Sequence, residues 1–189
     1  MRCVSVFQQV SADGYFVTRD GDSSWTHAGP HDPALDAFVQ DNARDESVLV
    51  FGRKTYELMA SFWPTPLAAQ QMPEVAARMN ELPKLVFSTS LTEARWQNTE
   101  LVAEDPVATI RARKREPGPP LTIMGSGTII AQLARAGLLD EVQLLVIPIV
   151  LGSGRSMFDG SSLALTLVEH RTFEASGRVF TRYSCAKAN

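Results

Sequence analysis

Residues Leu121–Leu133 read "LTIMGSGTIIAQL". An apolar run gives way to two glycines with one residue between them, and then to a stretch with helical spacing. A strand that ends in a tight glycine turn and passes straight into a helix is the building unit of an α/β sheet. The same turn leaves main-chain N–H groups open at a helix start, where an anion can bind.

Outward from this unit, apolar runs recur at intervals that suit strands alternating with helices. "CVSVFQQV" (3–10) opens as a strand, and "HDPALDAFVQDNAR" (31–44) as a helix, with Asp32 as its cap and Pro33 in its first turn. "SVLVFG" (47–52) is a short, nearly continuous apolar strand, followed by the helix "RKTYELMASF" (53–62). "PKLVFSTS" (83–90) repeats the strand-then-polar-turn form. "AEDPVATIRARKRE" (103–116) is a helix capped by Asp105, with basic residues at its end, where they complement the helix dipole. Its "RARKR" run therefore reads as a solvated last turn rather than a nucleic-acid patch. "GTIIAQLARAG" (127–137) is a helix stopped by Gly137, and "EVQLLVIPIVLGSG" (141–154) a long strand. "LALTLVEHRTFEASGRVFTRYSC" (163–185) reads as two strands turning near "ASG", an antiparallel hairpin. Alternation implies right-handed crossovers and a largely parallel sheet covered on both faces.

The chain has 189 residues, 44% hydrophobic and 21% charged, which suits a single globular domain over 1–189. Its net charge of -3 and pI near 5.6 argue against a nucleic-acid partner. No window approaches a membrane span, and the first residues lack the apolar core of a secretory signal. The only cysteines are Cys3 and Cys185, read as strand residues packed in the core and as reduced thiols of a cytoplasmic protein. His27 and His31 are four apart, but Gly29–Pro30 breaks any helix between them, so no metal pair is expected. His170 falls in a strand and reads as structural.

Three strands end in small or polar residues before a helix or turn: "VLVFGRKTYE" (48–57), "KLVFSTS" (84–90) and "LTIMGSGT" (121–128). In open α/β sheets ligands bind beyond the carboxyl ends of the strands. Gly125 and Gly127 match only part of the dinucleotide fingerprint, because Ile130 stands at the third glycine position. The pair Asp140–Glu141 also precedes the next strand instead of ending one. On the residues alone this turn is either a phosphate cradle or a simple reversal. In "GRKT" (52–55), Gly52 permits close approach, Arg53 and Lys54 bring positive charge, and Thr55 a hydroxyl, all at a helix start. Positive side chains there oppose the helix dipole, so the reading is a bound anion or plain solvation. No G-x-x-x-x-G-K-[ST] motif is present, which excludes a P-loop.

Taken together, "SADGYF" (11–16), "FGRKTYE" (51–57), "KLVFSTS", "IMGSGT" (123–128) and "LLDEVQLLVIPIVLGSGRSMFDG" (138–160) resemble, in order and spacing, the dihydrofolate reductase-like superfamily. Within it they are similar to the reductase domain of bacterial riboflavin biosynthesis, the bifunctional deaminase-reductase C-terminal family. The resemblance implies a dihydrofolate reductase-like three-layer α/β sandwich with a mostly parallel sheet and a C-terminal antiparallel hairpin. It also implies a homodimer that reduces a small molecule with NADPH. Carried over by motif, Gly52, Arg53, Lys54 and Thr55 would hold the cofactor's phosphates, the basic pair suiting a 2′-phosphate. Ser88 and Thr89 would lie by the adenosine end, and Gly125, Ser126, Gly127 and Thr128 would cradle the pyrophosphate. Two departures weaken the riboflavin substrate. Met124 stands where those reductases usually carry an acidic residue, and no C-x-x-C zinc motif of a deaminase is present.

Hydride transfer to a C=N or C=O bond needs geometry and a proton donor. The candidates are Asp13, in the S-x-D-G turn, and Glu141; the alternatives are a loop-stabilising turn residue and a surface carboxylate. Asp32 and Asp36, where the folate branch carries its acid, read as a helix cap and a surface residue. Tyr15 and Trp25 lie in the long loop after the first strand, as a substrate lid or as plugs of the core. Two competing functions stay open: a nucleotide-binding module without turnover, and a dimeric structural protein whose glycine loops are only turns. A dihydrofolate reductase-type enzyme is a further variant of the first reading.

Overall fold

The computed structural model describes residues 1–186. Six strands run parallel: β1 (Val4–Ser11), β2 (Val48–Gly52), β3 (Lys84–Phe87), β4 (Thr99–Val102), β5 (Leu121–Met124) and β6 (Glu141–Ile147). The C-terminal hairpin adds β7 (Leu165–Phe173) and β8 (Arg178–Cys185), with β8 antiparallel to β6 and β7 outermost. The spatial order is β4-β3-β2-β5-β1-β6-β8-β7. This is the three-layer sandwich that the sequence pattern implies.

Helices cover both faces. On one side α5 (Pro106–Arg115) and α6 (Gly127–Arg135) bury Ile110, Ile129, Ile130 and Leu133 against Val4, Val6, Val50 and Ile123. Burying a side chain such as Ile130 or Leu133 fully contributes about 1.5–3 kcal/mol, so α6 is held mainly by its apolar stripe. On the other side lie α1 (Pro33–Ala43), α2 (Arg53–Phe62), α3 (Pro66–Gln71) and α4 (Pro73–Glu81). Tyr56, Val75 and Met79 meet Phe51, Val86 and Trp96 there, and Phe38 of α1 packs on Phe173 and Phe180 of the hairpin.

The local signals act as read. Asp32 accepts from the N–H groups of Ala34 and Leu35, and Asp105 from that of Ala108. α6 ends where Gly137, at φ +63°, lets Leu138 N–H reach back to the Leu133 carbonyl. In the "RARKR" run, Lys114 is bound to Asp140 at 2.6 Å and Arg113 to Glu100, as an ordinary helix end would be.

Other readings need correction. The strand expected over 141–154 stops at Ile147, because Pro148 has no N–H to give the ladder, and residues 148–164 form a long loop. α3, α4 and β4 have no counterpart in the sequence reading. Cys3 and Cys185 are half-buried rather than core residues, and Cys3 precedes β1. Burial still pushes the Cys3 thiol up to about 11 and raises that of Cys185. His170 is exposed on β7.

Candidate functional site

The strand order makes neighbours of the carboxyl ends of β3, β2, β5 and β1. Phe87, Gly52, Met124 and Ser11 end those strands, so the three turns singled out in the sequence lie side by side on one edge.

The turns after β2 and β5 are bonded to each other. Gly52 N–H donates to Ser126 Oγ at 2.6 Å, and Ser126 N–H donates to Thr55 Oγ1 at 3.1 Å. Gly125 and Ser126 are both left-handed, with φ +62°. A Cβ on Gly125 would stand 2.7 Å from Thr55 Cγ2, so only glycine allows this approach. Ser126 is the N-cap of α6, yet its hydroxyl turns away to the neighbouring loop instead of capping its own helix. Gly52, the N-cap of α2, has no side chain to cap with. Two helices of nine and ten residues thus start side by side with their first N–H groups open.

Arg53 begins α2 and donates from Nη1 to both carboxylate oxygens of Glu57, one turn on. Lys54 is exposed, with no ion-pair partner among the described residues. After β3, the Ser88 hydroxyl accepts from the N–H groups of Ser90 and Leu91, fixing a compact turn, and Thr89 is exposed at the rim.

Beyond β1, residues 12–18 and 149–157 form one layer over the start of α6. Asp13 joins them: its carboxylate accepts from Ser11 Oγ at 2.6 Å, Leu151 N–H at 3.2 Å and Gly152 N–H at 2.8 Å. The Ser11 hydroxyl, ahead of the two main-chain donors, holds this carboxyl below its ordinary range. Asp13 is exposed and ionised near neutral pH, and therefore suited to anchoring loops and accepting hydrogen bonds rather than donating a proton. Phe16 closes over Gly127, where an added Cβ would stand 2.8 Å from its ring. Tyr15 is wedged half-buried against Gly154, and the backbones of Val17 and Arg155 form a β-bridge.

Two expected site residues lie elsewhere. Glu141 begins β6 and so occupies the opposite edge of the sheet, six residues and about 20 Å from Ile147 at ~3.3 Å per residue. Its nearest cation is Arg182, at 3.8 Å. Trp25 is no lid: it is only 8% exposed in a short 3-10 turn (Ser24–His27). Arg178 holds that turn to the start of β8 by donating from Nη2 to the Thr26 and Ala28 carbonyls. Asp32, besides capping α1, accepts from the N–H and hydroxyl of Ser176 and so pins the hairpin turn. Burial works to raise its carboxyl, but the hydrogen bonds from Ser176, Leu35 and Ala34 outweigh it and leave the group lowered. Asp36 lies at the surface beside His31. Among the described residues no group of His, Cys, Asp and Glu side chains could hold a metal ion. Arg178 carries no sequence signal; Phe16 and the Leu151–Gly152 turn lie inside the stretches 11–16 and 138–160, but what each touches is set by contacts far away in the chain.

Comparison with known proteins agrees with this architecture. The chain is 25% identical over 168 residues to the uncharacterized protein YyaP of Bacillus subtilis, covering 88% of this chain and 86% of that one. Among solved structures, a riboflavin biosynthesis-type protein of Shewanella superposes with a TM-score of 0.68 at 23% identity, covering 97% and 99% of the two chains. The dihydrofolate reductase of Enterococcus faecalis, solved with NADP(H), superposes with a TM-score of 0.61 at 15% identity, covering 97% and 96%. These likenesses establish a dihydrofolate reductase-like fold. The match to the RibD C-terminal domain over residues 2–177 goes further, and the chain belongs to that family.

Proposed function

We propose that this protein is an NADPH-dependent reductase of a small heterocyclic or sugar-linked substrate, similar to 5-amino-6-(5-phosphoribosylamino)uracil reductase. The observation that carries the reading is the pair of uncapped helix starts, of α2 and α6, locked together by the Gly52–Ser126 hydrogen bond on the carboxyl edge of the sheet. That arrangement fits a pyrophosphate: open N–H groups supply donors, and Gly125 lets the two turns close on each other at Thr55. Arg53 and Lys54 would meet a 2′-phosphate, with Ser88 and Thr89 beside the adenosine. When bound, the nicotinamide supplies a hydride to a C=N or C=O carbon.

The chain's own residues orient and shelter. Phe16 and Tyr15 close the layer over α6, and Asp13, ionised, accepts a hydrogen bond from a substrate N–H or O–H group. Titration with NADPH and NADH tests the reading. Micromolar or tighter binding with preference for NADPH is expected; equal or absent binding refutes it.

One observation favours a second reading, a nucleotide-binding module without turnover. Asp13 is held as an anion and Glu141 lies at the far edge, so neither expected acid is poised to protonate a product. Tight NADPH binding with no oxidation across pterins, pyrimidines and flavins would select that reading. We also propose a homodimer formed through β7, which is exposed at every position except Phe173 and presents Leu165, Leu167 and Val168.

A further inference from the structure

The hydroxyls of Ser126 and Thr55 form a chain in which Ser126 Oγ is the donor and Thr55 Oγ1 the acceptor. Each hydroxyl has one hydrogen to give and two lone pairs to receive. Gly52 N–H can only donate, and it donates to Ser126 Oγ at 2.6 Å. Ser126 Oγ passes its own hydrogen to Thr55 Oγ1 at 3.0 Å. Ser126 N–H, again only a donor, takes the other lone pair of Thr55 Oγ1 at 3.1 Å. Thr55 then has both acceptor positions filled and one hydrogen left, for which no acceptor exists among the described residues. Each hydroxyl accepts one main-chain N–H, and the Ser126-to-Thr55 hydroxyl bond gives the series its direction.

We infer that Ser126 is a positioning residue that makes Thr55 an obligate hydrogen-bond donor, so that the mouth between the α2 and α6 starts selects unprotonated phosphate oxygens. This revises the expectation that Ser126 offers its backbone N–H to the ligand: both that N–H and its hydroxyl are donated to Thr55 Oγ1. It rests on the proposed nucleotide site and adds the order in which the groups act. Two hydroxyls in series differ from two parallel contacts: without Ser126 the Thr55 hydrogen is no longer held toward the mouth, so both losses fall on the same final donor.

The test uses Ser126→Gly, which deletes the hydroxyl while suiting the left-handed backbone at φ +62°, with Thr55→Val, Thr55→Ser and the double variant Ser126→Gly/Thr55→Val. The probes are NADPH and inorganic pyrophosphate, followed by calorimetry, with melting temperatures checking that each variant folds. Ser126→Gly and Thr55→Val are each expected to weaken binding about tenfold, the scale of one hydrogen bond to a charged group. Thr55→Ser should bind like the parent, and the double variant should remain at about tenfold. Unchanged binding by Ser126→Gly, or a double variant weakened about a hundredfold, overturns the inference. If the parent binds pyrophosphate with this pattern but not NADPH, the inference stands and the reductase reading falls. If the parent binds neither, both fall.

Discussion

Arg53 commits a single nitrogen to Glu57. Nη1 donates to both carboxylate oxygens, at 3.0 and 2.9 Å, while Nε and Nη2 have no partner among the described residues. The side-on fork of the guanidinium, the edge that pairs with a phosphate through two parallel bonds, is left open.

Arg53→Ala should therefore erase discrimination between NADPH and NADH, measured as the ratio of their dissociation constants. Glu57→Gln removes a negative charge next to the incoming phosphate, so NADPH binding should tighten severalfold at low salt with NADH unaffected. Unchanged ratios in both variants would remove the pair from the site.

Gly125→Ala places a methyl group 2.7 Å from Thr55 Cγ2 at a φ of +62°. The strain and the displaced loop should cost about 1–3 kcal/mol in denaturant unfolding. They should also abolish NADPH binding, because the two helix starts are pushed apart.

Asp13 gives a pH signature. Its carboxyl is lowered in the folded protein, first by the Ser11 hydroxyl, so its stabilising effect is present above the ordinary carboxylate range and lost as pH falls through the folded value. Melting curves of Asp13→Asn should lie below those of the parent at neutral pH and converge with them in acid. Curves that stay parallel down to pH 2 would contradict the loop-anchor role.

Lys84 gives a dependence of the same sign in an alkaline window. It is 1% exposed, lies 4.3 Å from the centre of the Trp96 ring and donates to the Asn80 and Gln97 carbonyls. Burial brings its ammonium down to about 8 from an ordinary 10.5. The unfolded chain therefore holds a proton that the folded one has released, and stability contributed by this group rises between about pH 8 and 10.5. In Lys84→Met that rise, read as parent minus variant, should vanish.

The outer strand offers a test of assembly. Leu167→Glu, on an exposed position of β7, should shift sedimentation from dimer to monomer without lowering the melting point of the monomer.

Much of this site was legible because the strand–turn–helix units at Gly52 and Gly125 announce themselves locally. Each needs only an apolar run, a glycine and a helix start, and all three are contiguous in the chain. Their adjacency follows from the rule that ligands gather at the carboxyl ends of parallel strands. The same rule disqualifies Glu141, which opens a strand rather than closing one. Trp25 was ambiguous since a loop aromatic packs inward or outward according to partners such as Arg178, about 150 residues away. β4 is four residues long, with Glu100 exposed within it, too short for alternation to register. α3 and α4 are delimited by Pro66 and Pro73, a pair of helix starts that apolar spacing alone does not separate.

The seam between Gly52 and Ser126 joins segments 74 residues apart, and β5 reaches it only by inserting between β2 and β1. If the seam is the nucleotide site proposed above, no nucleotide can be gripped during synthesis before the chain has emerged past Thr128 and the centre of the sheet has closed. Occupancy of that seam would report that β1, β2 and β5 are in place, and a ligand held there would stabilise the centre of the sheet instead of merely quieting a loop.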